Sequence, residues 1–194
     1  MRARSTRALA ALIAVFALSA VGVAQASAHE FIASVAGTLE SKQSSVQDFS
    51  NEWWEFGCEK ATGTATVIKG SQKTIKETVQ YGNCLLVPLT NMKVSPAEWE
   101  FSAEGTVTLL KIFTFENPKT FLQHQCTMRF GPTTGFSNKV VYQNLAGGKL
   151  STQYDTRDLN SKNSGEPCGQ EGVTGAVAKG MLESTLASGT LTWK

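Results

Sequence analysis

Histidine is scarce in this chain, with only two among 194 residues, His29 and His124. A Ser-His-Asp hydrolase would have one useful base, and no G-x-S-x-G elbow is present to carry its nucleophile. The four cysteines show no C-x-x-C spacing, which argues against a zinc site. No block of basic residues offers a surface for nucleic acid or an anionic membrane. Beyond the first 23 residues there is no apolar run long enough to read as a membrane span. Past residue 28 no segment sustains a helical period. No repeat array is present, and no linker divides the chain.

The beginning of the chain is different. Arg2, Arg4 and Arg7 precede an apolar stretch over residues 8–23, followed by small residues ending in Ala26-Ser27-Ala28. Basic, apolar and A-x-A in that order read as a secretory signal-peptide helix. A membrane anchor is the competing reading. Cleavage is expected after Ala28, with Ala26 as the alternative. Residues 1–28 would then be leader and 29–194 a single β domain of secreted, extracellular or envelope-associated location. Three of the 18 basic residues lie in the leader, leaving 15 against 16 acidic ones, a net charge near −1.

All four cysteines, Cys58, Cys84, Cys126 and Cys168, lie in the mature part. An even number in an exported chain argues for two disulfides. Three connectivities are open, and sequential pairing, Cys58 with Cys84 and Cys126 with Cys168, is expected. Each bond would contribute about 3.5–4 kcal/mol in the loop-entropy picture.

Strand signals recur at short spacing between Gly, Pro, Asn and Ser. Residues 30–40 read as a first strand, 41–45 as a polar turn and 46–49 as a short return strand. Residues 51–56 are aromatic and strand-like. Residues 58–84 form a hairpin stapled at its ends, with Ile75, Val79 and Tyr81 on its buried face. The cysteines fall off that face by parity, so bulges are expected at Gly57 or at Gly82-Asn83. Pro88 marks an edge strand or loop. Trp99 and Phe101 alternate with acids. Val107, Leu109, Phe113 and Phe115 line one face of the next run and Leu110 and Ile112 the other, which predicts a central strand. Leu122, Cys126, Met128 and Phe130 alternate with polar residues, ending at Gly131-Pro132. Residues 139–154 form a hairpin about Ala146-Gly147-Gly148, residues 155–165 an irregular loop, and two last runs end at Trp193. The class is all-β: an antiparallel β-sandwich or flattened barrel of about ten strands.

Several of these segments, among them Cys58-Glu59-Lys60-Ala61-Thr62-Gly63, Tyr81-Gly82-Asn83-Cys84, Trp99-Glu100-Phe101-Ser102-Ala103-Glu104-Gly105-Thr106-Val107, Val140-Val141-Tyr142-Gln143-Asn144, Gly147-Gly148-Lys149-Leu150 and Gly189-Thr190-Leu191-Thr192-Trp193, resemble uncharacterised exported proteins of high-GC Gram-positive bacteria. The resemblance implies an exported all-β domain with paired cysteines and brings no activity, ligand or catalytic residue.

Four patterns could carry chemistry. If cleavage follows Ala28, His29 offers its amine and ring to copper, and His124 would complete a site that resembles the histidine brace of copper monooxygenases and periplasmic copper carriers. The flanking motifs of those families are absent. Asp155, Asp158, Asn160, Asn163 and Glu166 supply oxygens in one loop, but not at EF-hand spacing. Glu52 with Glu55, or Glu98 with Glu100, could be a glycosidase pair, although the second pair fits a wet face opposite Trp99 and Phe101. Trp53-Trp54 would place its rings on opposite faces of a strand, leaving one free to stack on a sugar or a partner. The sequence therefore reads as an exported, non-enzymatic binding or structural module without a cofactor; it names no partner, and envelope or polysaccharide contact is one option. A copper protein and a carbohydrate-binding module are the rivals.

Overall fold

A computed structural model describes residues 28–85, 92–117, 126–132, 138–165 and 173–194. These residues are strand and connecting turn, without a helix. Fifteen strands appear in chain order: β1 (Phe31–Ala33), β2 (Gly37–Gln43), β3 (Gln47–Ser50), β4 (Glu55–Val67), β5 (Gly70–Gln72), β6 (Thr74–Leu85), β7 (Lys93–Val94) and β8 (Ala97–Ser102). They continue with β9 (Thr106–Leu109), β10 (Phe113–Asn117), β11 (Cys126–Gly131), β12 (Lys139–Leu145), β13 (Lys149–Ser164), β14 (Val173–Leu186) and β15 (Leu191–Trp193). The number exceeds the expected ten because several runs that look continuous in sequence are divided.

Twelve strands form one antiparallel sheet, in the order β7-β10-β11-β13-β14-β2-β4-β6-β8-β9, with β12 added to β13 and β3 set between β14 and β4. The long strands β4, β13 and β14 each change partner along their length. β14 pairs first with β3 and then with β2, and β4 does the same. β13 pairs with β12 over one half and β11 over the other. Both ends of the sheet return on themselves. Met92 N donates to Cys84 O at 3.1 Å, bringing the β7 side to β6, and Val140 N donates to Gly105 O at 2.9 Å, bringing β12 to the β8–β9 turn. The result is a flattened barrel, which satisfies edges that would otherwise leave backbone groups bare.

The interior is filled by alternate residues of each strand. Toward the β3–β10–β11 end, Phe49 stands at the centre of an aromatic cluster with Phe56, Tyr81, Phe113, Phe115 and Phe130 at centroid separations of 4.9–5.9 Å. Edge-to-face contacts of this kind add to the burial of large apolar area. The other end is packed by a three-stranded sheet, β15-β1-β5, whose Phe31 meets Tyr142 edge-on.

The first predicted strand is thus two. Ser34 and Val35 interrupt it, and β1 and β2 enter different sheets. The predicted turn at 41–45 is largely strand, because Ser41 points inward and its Oγ lies 2.8 Å from that of Ser184. The run through residues 107–115 breaks at Leu110, whose N–H turns to Glu98 O. β9 lies at the end of the sheet's strand order and Ile112 is 61% exposed, so the run is not one central strand; only its second part, β10, has a partner on each side. The predicted loop at 155–165 is the second half of β13. Its inward face is carried by Thr156, Leu159, Ser161 and Asn163, and register shifts occur between Thr156 and Ser161. Small polar residues on a buried face hide the alternation that apolar ones would have displayed.

The stapled hairpin is present. Cys58 and Cys84 are register partners on β4 and β6, disulfide-bonded with a Cα separation of 3.9 Å and no exposure. The expected change of face is also there. Asn83 takes the left-handed conformation, with φ 50°, and Glu59 opposite it is exposed beside exposed Lys60. One extra outward residue on each strand lets Tyr81 and Cys84 both point inward without moving the register. Cys126 is also disulfide-bonded. Cys168 lies outside the described residues.

Candidate functional site

The two tryptophans singled out from sequence lie in the β3–β4 turn, not in a strand. Asn51 builds that turn. Its Oδ1 accepts from the N–H groups of Trp53 and Trp54, both at 2.9 Å, and its own N–H donates to Trp54 O at 2.8 Å. An Asx side chain replacing a backbone acceptor in this way fixes a tight reversal. Trp54 packs against the core, whereas Trp53 is 51% exposed. The indole Nε1–H of Trp53 donates to Glu52 Oε1 at 2.9 Å. One ring is in and one is out, as a strand would have arranged, but the cause is the turn. Glu52 therefore serves as the indole's anchor. Glu98 and Glu100 pair with Lys111 and Lys76, in keeping with the wet face.

His29 is exposed, and its ring stacks on Trp193 at 4.6 Å with a 19° tilt. Its carbonyl accepts from Lys73 Nζ, and that ammonium also pairs with Glu30, whose carboxyl is held below the usual range by hydrogen bonds from Ser71 and Lys73. His124 lies outside the described residues. Among the described residues no group of three or more His, Cys, Asp and Glu is placed to hold a metal ion. The oxygen-rich segment considered for calcium is drawn out along β13. Asp155 faces Arg157 and Lys179, Asn160 Nδ2 donates to Pro132 O, and Asn163 is buried. A strand spreads these groups over two faces and does not converge them. The side chain of Asp158 and all of Glu166 lie outside the described residues.

The group that sequence inspection passed over is Glu77. It shares the buried face of β6 with Ile75, Val79 and Tyr81, is 4% exposed, and stands opposite Trp99 on β8 and Ala65 on β4. A carboxyl in phase with apolar residues was the available signal. Its side chain crosses β4 at Gly63, where any β-carbon would overlap Oε1, and hydrogen-bonds Ser41 on β2. Ser41 is joined in turn to Ser184 on β14. Burial pushes the Glu77 carboxyl up to about 7, with the Ser41 contact opposing part of that rise. Oε1 has no hydrogen-bond partner.

A second polar chain runs beside the first. Trp99 Nε1 donates to Tyr81 Oη at 3.0 Å, Tyr81 Oη lies 3.4 Å from Tyr154 Oη, and the Tyr154 hydroxyl donates to Gln47 Oε1. Gln47 passes over Gly180 as Glu77 passes over Gly63, and its Nε2 donates to the carbonyls of Ser45 and Met181. Burial raises both phenols above their ordinary range. Buried groups satisfied in this way define one arrangement of the strands.

Outside the barrel, an open groove of about 450 Å³ is lined by Thr38, Thr64, Thr66, Lys76 and Thr78. Another of about 390 Å³ contains Glu40, Lys42 and the Lys149–Glu183 ion pair. No protein-family model, curated protein or solved structure matches the chain. Among the described residues no helix is long and apolar enough to cross a membrane.

Proposed function

We propose that this chain is an exported, disulfide-stabilised binding module of the cell exterior or envelope, which uses Trp53 to stack on a polysaccharide. The observation that carries the reading is the half-exposed indole of Trp53, held by Asn51 and Glu52 on a hydrogen-bonded turn. A ring already fixed in place loses little conformational freedom on binding, and the C–H face of a pyranose covers its apolar surface. The leader-like N-terminus, the buried disulfide and the resemblance to exported proteins support the location. The reading assigns no catalytic step.

The test is depletion of processed protein from solution by insoluble cellulose, chitin and purified cell-wall polysaccharide. Retention on one of them is expected, and Trp53→Ala should weaken it at least roughly tenfold, about 1.4 kcal/mol, with an unchanged melting temperature. Equal retention of the variant, or no retention of the parent on any of the three, would overturn the assignment.

A further inference from the structure

The β3–β4 hairpin that presents Trp53 is charged with one sign. Between Gln43 and Glu59 the chain carries four acids, Asp48, Glu52, Glu55 and Glu59, and no lysine, arginine or histidine. All four acids are exposed. Elsewhere Glu30, Glu98, Glu100, Asp155 and Glu183 each have a lysine partner. Among the described residues none of the four hairpin acids is in an ion pair. Lys179, opposite Asp48 in register, pairs with Asp155 instead. Two of the acids flank the tryptophan. Glu52 precedes it and takes the indole Nε1–H on Oε1 alone, so ring and carboxylate hold each other while Oε2 is left for another donor. Glu55 opens β4 two positions after it. A half-exposed indole attracts a cation through the negative face of its ring, and the neighbouring carboxylates deepen the same field. An anionic polymer is repelled there.

We propose that the polysaccharide bound at Trp53 is cationic, a deacetylated amino-sugar polymer whose pyranose ring lies on the indole and whose protonated amine is held by Glu52 and Glu55. This inference rests on the assignment of Trp53 as a sugar platform and adds the charge of its ligand. The equatorial substituents of a pyranose project from its rim. Glu52 stands at the rim of the indole, beside Nε1. A sugar lying flat on the ring therefore sends its amine toward that carboxylate. An ammonium has three protons to give, and Oε2 can take one while Oε1 keeps the indole. Acetylation of the amine removes the charge and leaves only the stacking contact.

The test is calorimetry of processed protein with glucosamine oligomers, their N-acetylated forms and cello-oligosaccharides of equal length, at a mildly acidic pH where the amines are protonated. The glucosamine oligomer should bind roughly tenfold more tightly than either neutral one, the combined effect of a cation–π contact and an exposed ion pair. That preference should shrink at about 1 M salt, where the Debye length is about 3 Å. Glu52→Gln keeps an oxygen for the indole while removing the charge. Combined with Glu55→Gln, it should cut the preference to the few-fold that the indole alone gives and leave neutral-sugar binding unchanged. A lysine oligomer of matched charge, which has the ammonium without the ring, should bind more weakly than the glucosamine oligomer. Equal affinity for charged and neutral sugars, a preference untouched by the double variant, or tighter binding of the lysine oligomer would overturn the proposal. Binding of neutral sugars that depends on Trp53 without any preference for charge would remove this inference and leave the platform standing. No binding of any oligomer would remove both. If the double variant does not fold, the parent's preference and its response to salt still decide the matter.

Discussion

The side-chain amide of Asn144 grips the backbone of Trp193 at both groups. Its Nδ2 donates to Trp193 O and its Oδ1 accepts from Trp193 N, each at 2.8 Å. On the other edge of β15 the backbones of Glu30 and Lys194 exchange hydrogen bonds at 2.8 and 3.0 Å. The last strand is therefore clamped between β12 and the start of β1. Trp193 Nε1 adds a bond to Ala103 O.

Replacing Asn144 with Ala should cost about 1–2 kcal/mol, since two backbone groups must find water in place of a fixed partner. Removing residues 191–194 should cost far more, because the fully buried Leu191 is taken out of the core and the fully buried Phe31 loses the strand that covers it. Chemical denaturation of the two variants measures both effects. A smaller loss for the truncation than for Asn144→Ala would contradict the clamp.

The Cys58–Cys84 bond should add about 3.5–4 kcal/mol by restricting the unfolded chain. The double replacement with Ala is expected to lower stability by that order while retaining a strand-rich circular dichroism spectrum. Intact mass of exported protein should show the loss of residues 1–28 and of four hydrogens. Peptide mapping should link Cys126 to Cys168. Free thiols in that material would refute the pairing.

Gly63 tests the path of the Glu77 side chain. Glycine within a strand is ordinarily improved by Ala by roughly 0.5–1 kcal/mol. Here Gly63→Ala should instead destabilise by about 1–3 kcal/mol, the usual cost of overpacking, because the new methyl occupies the position of Oε1. In a Glu77→Ala background the same substitution should be neutral or favourable. An unchanged cost in both backgrounds would show that the carboxyl does not cross there.

Stability should fall as pH rises from about 4.5 to 7. The carboxyl of Glu77 is raised from 4.5 to about 7 by burial, so the folded chain binds more protons than the unfolded one over that interval. The resulting stabilisation is complete below the unfolded value and is lost as pH passes through the folded one, a difference of roughly 3 kcal/mol. Urea unfolding at pH 4.5, 6 and 8 measures it. Glu77→Gln should abolish this component and be the more stable protein at pH 8. Parallel curves for the two proteins would exclude Glu77 as the source.

Period-two alternation is a local property of the backbone, so the sequence alone determined the strand-rich class, the buried face of Ile75, Val79 and Tyr81, and the hairpin between Cys58 and Cys84. Parity also required a change of face between Tyr81 and Cys84, and Asn83 provides it. The leader-like start and the even cysteine count were likewise open to reading without coordinates. Where β13 carries Thr156, Ser161 and Asn163 inward, alternation could not be seen, because the residues that tolerate burial there are polar. Trp53 owed its exposure to Asn51, whose side chain could have joined a strand as well as a turn. Only the tertiary structure brought Ser41 to Ser184, 143 positions apart in the chain, and laid the Glu77 side chain over Gly63. Which side chain fills the space over a glycine, and whether a buried carboxyl has one partner or several, depends on strands distant in sequence, and barrel closure alone sets their neighbours.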